Sequence, residues 1–230
     1  IYTNYKTDKK ISVIKRGIDT DYFSVKNVSD AEEQKLRNYL DVPQDKFLLL
    51  LPGRLTYWKG QKLFIEAINL LKSQNKFNDC FALIVGSDQG RKKYKNELID
   101  LVSKYNLNNF VKIAHSINKI PVAYSISNLV ISSSIEPEAF GRVSVEAQSM
   151  EKPILASNIG GSTETIIPEK TGWLFKSESP SELANSIEMI KKMDKKILDS
   201  VGRQGRKNVL DNYSKDTMCS KTLEIYESLV

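Results

Sequence analysis

The feature that most constrains this chain is an alternation. Short apolar runs recur at 47–51, 81–86, 111–114, 129–132, 153–156 and 172–175, with segments of helical period at 61–73, 93–105, 143–150, 181–192 and 217–229. The first four runs are nearly all apolar, as in Phe47-Leu48-Leu49-Leu50-Leu51, so such strands must be covered on both faces. In 61–73, Leu63, Phe64, Ala67, Ile68 and Leu71 recur at three- and four-residue spacing and share one helix face. Together these patterns predict a doubly wound α/β fold, a parallel sheet with helices on both faces. Residues 11–19 are expected to add a strand and a turn, with Gly17 as the breaker.

Composition narrows the function. A chain of 230 residues buries a core without a disulfide or metal staple. Two cysteines, Cys80 and Cys219, rule out a disulfide scaffold and point to a reducing compartment such as the cytoplasm. With His115 as the one histidine, a Cys/His zinc site is not expected. No apolar run reaches the length of a membrane span. The net charge of +6 is modest, and the basic stretches 91–95, 191–196 and 203–207 read first as solvated helix faces. Contact with the inner, anionic face of a membrane is their other use; nucleic acid would call for clustered Arg among aromatics. The chain starts at Ile1 without a signal segment, and is expected to be part of something longer.

In an open parallel sheet, ligands bind beyond the carboxyl ends of the strands. Glycines, hydroxyls and charges follow the apolar runs there: Pro52-Gly53-Arg54 and Lys59-Gly60, Gly86-Ser87-Asp88, His115-Ser116, Ser132-Ser133-Ser134 leading to Glu138, and Gly160-Gly161-Ser162. Arg54 and Lys59 near a helix start make an anion site suited to a diphosphate. The spacing is not that of a P-loop, and no Gly-x-Gly-x-x-Gly follows a strand. Glu138 and Glu146 could accept hydrogen bonds from sugar and ribose hydroxyls or form a glycosidase pair. The N–H groups of Gly141 to Val143 are expected to be free at a helix start. Gly160-Gly161 reads equally as an anion-holding turn or a plain one, and Trp58, Trp173 and Cys80 read as packing residues.

In this order and spacing, several segments resemble the carboxyl-terminal domain of group-1 retaining glycosyltransferases of the GT-B fold. They are Gly53-Arg54-Leu55 with Lys59-Gly60, the strand ending Val85-Gly86, the stretch from Ser134 through Glu138-Ala139-Phe140-Gly141-Arg142-Val143 to Glu146-Ala147, Lys152-Pro153-Ile154, Gly160-Gly161-Ser162-Thr163-Glu164 and Thr171-Gly172. Upstream, Arg16-Gly17-Ile18-Asp19 resembles the family's interdomain turn. The resemblance implies that Arg54 and Lys59 hold the diphosphate of a sugar nucleotide, with Gly141, Arg142 and Val143 beside it. Glu138 and Phe140 would contact the sugar, with Glu138 as the candidate catalytic residue, and Glu146 the ribose. The base would sit near Val85, His115 and Ile117.

The implied reaction moves a sugar, with retention, from a nucleotide-diphosphate sugar to a saccharide or lipid-linked acceptor, as in making cell-envelope polysaccharide or lipopolysaccharide. UDP is the expected nucleotide, no cofactor or metal is expected, and Arg54 and Lys59 would replace a metal. His115 and Arg142 depart from the family's usual residues, glycine and an apolar one. The 230 residues are expected to form one sugar-nucleotide-binding domain. Residues 213–230 would be a terminal helix returning to an acceptor domain that the chain lacks, so the chain alone is expected not to transfer sugar. Two other readings stand beside this one: a sugar-nucleotide epimerase on the same fold, which the lone histidine disfavours, and a non-catalytic module binding nucleotides or anionic membrane.

Overall fold

The leucine run becomes the centre of a sheet. In this computed structural model, which describes residues 11–229, the strands are β1 (Phe47–Pro52), β2 (Cys80–Val85), β3 (Val111–Ala114), β4 (Leu129–Ser132), β5 (Ile154–Ser157) and β6 (Trp173–Phe175). All pair in parallel, in the order β3-β2-β1-β4-β5-β6. Ile1 and Val230, the last residue of the expected terminal helix, lie outside the described residues.

Side chains of a strand alternate between faces, so β1 feeds two cores. Leu49 and Leu51 pack with Leu63, Phe64, Ile68, Leu98 and Ile187 on one side. Leu48 and Leu50 pack with Leu36, Val122, Tyr124 and Val145 on the other. The helices that cover these faces are α1 (Asp30–Leu40), α2 (Gln61–Ser73), α3 (Lys92–Lys104), α4 (Ile120–Ile126), α5 (Arg142–Ser149), α6 (Ser162–Thr165), α7 (Pro180–Lys191), α8 (Lys195–Asn212) and α9 (Lys215–Glu227). Every expected strand of the sheet and every expected helix is present, with ends shifted by a residue or two.

Two expectations need correction. Residues 11–19 form no strand; Ile18 makes an isolated bridge to Ser214, donating to Tyr213 O at 2.9 Å and accepting from Lys215 N at 2.8 Å. The segment lies against the chain between α8 and α9 instead of the sheet, and Gly17 is needed there because a Cβ would come within 2.2 Å of Ser214 O. Helices α1, α4 and α6 were also not foreseen. α1 carries a legible signal, a capping box in which Ser29 and Glu32 satisfy each other's N–H groups. Its apolar face is sparse, with Leu36 and Leu40 as its buried residues.

The strand order reverses direction between β1 and β4, since chain progression runs outward through β2 and β3 on one side and through β5 and β6 on the other. The crevice beyond the carboxyl ends of β1 and β4 is therefore where this topology receives a ligand. The basic stretches turn out to be partly matched helix faces: Lys191 pairs with Asp79, Lys192 with Glu188 and Lys207 with Asp211.

Candidate functional site

A cavity of about 520 Å³ opens at that switch point. Its walls come from the segments after four strands: Arg54, Trp58 and Lys59 after β1, Val85 and Gly86 after β2, Ile117 and Ile120 after β3, and Glu138, Arg142, Val143 and Glu146 after β4. Residues up to 92 positions apart in sequence are thus brought to one place by strand order alone.

Lys59 ends a short 3-10 turn and Gly60 caps α2, so Lys59 stands just before the helix start, near which it was expected. Gly60 has φ +69°, and a Cβ there would lie 1.8 Å from Ser133 O; only glycine lets the β1 loop press against the end of β4. That approach helps to bring Lys59 to Glu138. Lys59 Nζ lies 2.7 Å from Glu138 Oε1, with both side chains nearly buried. Ser134 Oγ donates to the same carboxylate oxygen. Trp58 does more than pack: Lys59 Nζ lies 4.6 Å from its ring centroid and Arg54 Cζ 5.8 Å.

Glu146 sits one turn inside α5 and is 8% exposed. Tyr124 Oη donates to its Oε2 at 2.7 Å, and Arg142 Nε donates to its Oε1 at 2.6 Å. Burial pushes the Glu146 carboxyl above its usual range, while Tyr124, Arg142 and Lys59 pull the other way. The fully buried Tyr124 hydroxyl is held well above its usual value by burial and by the Glu146 charge. Sequence reading missed Tyr124; a tyrosine in the short segment Ile120–Ile126 gives no sign of a carboxylate 22 positions away. Each of the two glutamates is engaged by its own cation.

Helix α5 begins at Gly141, whose φ of +71° turns the chain into the helix. No residue among those described accepts from the N–H groups of Gly141, Arg142 or Val143. Gly161 supports this turn from beneath, donating from its N–H to Glu138 O at 2.6 Å. Gly160-Gly161 therefore builds the Glu138–Gly141 turn through close packing.

Three expected site residues lie off the cavity wall. Phe140 packs toward Tyr213, ring centroids 6.1 Å apart, and Gly141 shapes the turn. His115 lines a neighbouring depression with Lys35, Tyr39 and Lys112, and its Nδ1 lies 2.8 Å from Ser116 Oγ; its neighbours Ser116 and Ile117 reach both spaces. The physical reason is position along the chain: His115 directly follows β3 and faces Lys112 and Tyr39, whereas Ser116 and Ile117 lie further along the loop, where the two spaces adjoin. No described helix is long and apolar enough to cross a membrane.

The family model described as Glycosyl transferases group 1 matches residues 32–208. A glycosyltransferase from Rickettsia africae ESF-5 is 35% identical over 99% of this chain and 59% of its own, with a TM-score of 0.93. HepE of Anabaena, solved in complex with UDP and glucose, is 28% identical over 94% of this chain and 57% of its own, with a TM-score of 0.84. The C-terminal domain of a glycosyl transferase group 1 family protein, LpcC of Francisella tularensis, is 26% identical over 86% of this chain and 99% of that domain, with a TM-score of 0.72. The chain spans about half the length of the curated relatives it matches.

Proposed function

The chain belongs to the group 1 glycosyl transferases, and from that premise we propose that it is the donor-binding domain of a retaining enzyme that uses a UDP-sugar. The single observation that carries this reading is the convergence of Arg54, Lys59, Glu138, Glu146 and the start of α5, with its unpartnered N–H groups, on one cavity. Bound UDP in the HepE structure supports the nucleotide, and the near-complete match to the C-terminal domain of LpcC supports the domain assignment.

In this reading the diphosphate lies between Arg54, Lys59 and the start of α5. As the glycosidic bond to the diphosphate breaks, negative charge grows on the leaving oxygen, and fixed cations and N–H dipoles are placed to receive it. The chain's own cations do the work a metal would otherwise do. Glu138 meets the donor sugar, Glu146 the ribose, and Val85 and Ile117 the base. The saccharide or lipid-linked acceptor is bound by a second domain, toward which α9 projects; that helix buries none of its described residues, and Leu223 and Tyr226 are exposed. Orienting two substrates can supply roughly 7–11 kcal/mol of a barrier, so the chain alone is inactive in transfer.

Calorimetric titration of the chain with UDP and with uridine tests the site. Arg54→Ala and Lys59→Ala should each weaken UDP by about 1.5–3 kcal/mol, the worth of a charge-assisted hydrogen bond, and weaken uridine far less. Addition of a chelator should leave UDP binding unchanged. Equal UDP affinity in the wild type and both variants would remove the diphosphate assignment.

A further inference from the structure

The first residue of α5 is a cation at the end of a helix where the macrodipole disfavours one. Such a local conflict in an otherwise consistent fold marks a place where function has intervened. Arg142 makes one hydrogen bond there, from Nε to Glu146, and its side chain is 71% exposed. Its terminal guanidinium nitrogens have no partner among the described residues. Glu146, by contrast, has a side chain only 10% exposed and is held on its other oxygen by the buried Tyr124. Of the two partners, the arginine is the one free to move.

Charge matching in the cavity makes that freedom consequential. Lys59 is matched by Glu138, and Arg142 by Glu146. Arg54 alone among the cavity's cations has no carboxylate partner among the described residues. A diphosphate therefore enters a site whose cations are mostly occupied, and a ribose meets a carboxylate whose two oxygens are both engaged. Resting on the donor-site reading above, we propose that Arg142 exchanges partners on binding: its guanidinium leaves Glu146 for the diphosphate, and the ribose hydroxyls take the Glu146 oxygen it releases. The exchange places an anion where the helix start and its N–H groups favour one, which removes the conflict between Arg142 and the helix dipole. Arg142 is then a specificity residue, since only a ligand carrying both ribose and phosphate makes the whole exchange favourable.

A competing arrangement is that Arg142 stays on Glu146 and merely keeps it ionised. A carboxylate oxygen has a second lone pair, so a ribose hydroxyl could be accepted without any exchange. The two arrangements differ in the sign of one effect. In the exchange, Arg142→Met removes a phosphate ligand and also a competitor for Glu146, so uridine binding holds or tightens while UDP binding falls. In the fixed arrangement, Arg142→Met weakens both ligands alike where Glu146 takes up a proton, and leaves both unchanged at a pH where it stays ionised. The groups that face Glu146 are Tyr124 from α4, Arg142 from α5 and Lys59 from the β1 loop, and Glu138 of the β4 loop lines the same cavity.

The experiment is calorimetry of UDP and uridine with the wild type, Arg142→Met and Arg54→Ala, at about pH 8, above the range of an ordinary or moderately raised carboxyl. The exchange predicts that Arg142→Met loses about tenfold or more in UDP affinity, the fold-change of one charge-assisted contact, and loses nothing for uridine. Proportional loss for both ligands, or no change for either, overturns it. Arg54→Ala separates this from the underlying reading: unchanged UDP affinity in that variant sinks the donor site itself, whatever Arg142 does. A measurement on the unsubstituted chain guards against a folding defect. The Arg142 Nε–H resonance should move strongly with UDP and little with uridine, and a signal that UDP leaves unmoved overturns the exchange.

Discussion

Two arginines stand at opposite ends of helix α5. Arg206, reaching from α8, donates to Ser149 O at 2.5 Å and to Phe23 O at 3.1 Å, where the helix ends. Arg142 opens the same helix and meets the carboxylate of Glu146 one turn further along it. The first places a cation on the negative end of a helix dipole and satisfies carbonyls left over by the last turn. The second does the reverse. The contrast extends to the whole sheet. At the amino ends of the strands, Arg37 donates to Pro43 O and Ile126 O, and Asn128 accepts from Leu48 N. At the carboxyl ends, cations face carboxylates, and the N–H groups at the start of α5 have no acceptor among the described residues. One edge is arranged to be closed, and the other keeps its hydrogen-bonding capacity for something else.

The comparison can be broken most sharply with Arg206→Ala. It leaves two carbonyls without their charged donor, and unfolding free energy should fall by about 2–3 kcal/mol in urea denaturation. UDP affinity should stay at the wild-type value; a large loss of affinity would mean that the two ends of α5 are not functionally separate. Arg142→Ala should behave oppositely: its side chain is mostly exposed and Glu146 keeps the Tyr124 hydrogen bond, so stability should fall by no more than about 1 kcal/mol. A loss comparable to that of Arg206→Ala would show that Arg142 is a structural residue.

Glu146 sharpens the same contrast through pH. Its carboxyl is raised by burial, so the folded chain holds that proton to higher pH than the unfolded chain does. Stability from this group is present at low pH and is lost as pH rises from the ordinary carboxylate value through the folded one. Glu146→Gln should therefore melt no lower than the wild type near neutral pH, with the difference shifting in favour of the wild type as pH falls. The variant should still lose UDP affinity, whereas Glu138→Gln should spare UDP and weaken the UDP-sugar. A Glu146→Gln chain markedly less stable at neutral pH would show that the carboxylate serves the fold.

The smallest effect concerns the closed edge. Cys80, at the start of β2, is 1% exposed, and burial pushes its thiol up to about 12. A thiol reagent near pH 8 should modify the exposed Cys219 and leave Cys80 untouched in the folded chain. Labelling of Cys80 without unfolding would mean that this edge opens more readily than its packing suggests.

The alternation of apolar runs with helical segments settled the fold class in advance, because strands covered on both faces and one-sided helices leave little other choice. The glycines and charges after each strand likewise pointed to the carboxyl ends of the strands, where several of them line one cavity. Two kinds of fact were out of reach. Helices such as α4 and α6 are too short for periodicity to speak, and α1 announced itself only through its cap. The pairings within the site were hidden for a different reason. Lys59 meets Glu138, and Tyr124 meets Glu146, because β1 and β4 lie side by side and α4 and α5 cover the same face of the sheet. The strand order that makes these neighbours is a property of the closed sheet, and no local pattern encodes it. The sequence by itself determined which residues are available to hold a polar ligand. Only the tertiary structure decided that Lys59 stands against Glu138 and Tyr124 against Glu146, and that Phe140 and His115 lie off the cavity wall, since each depends on distances between segments far apart in the chain.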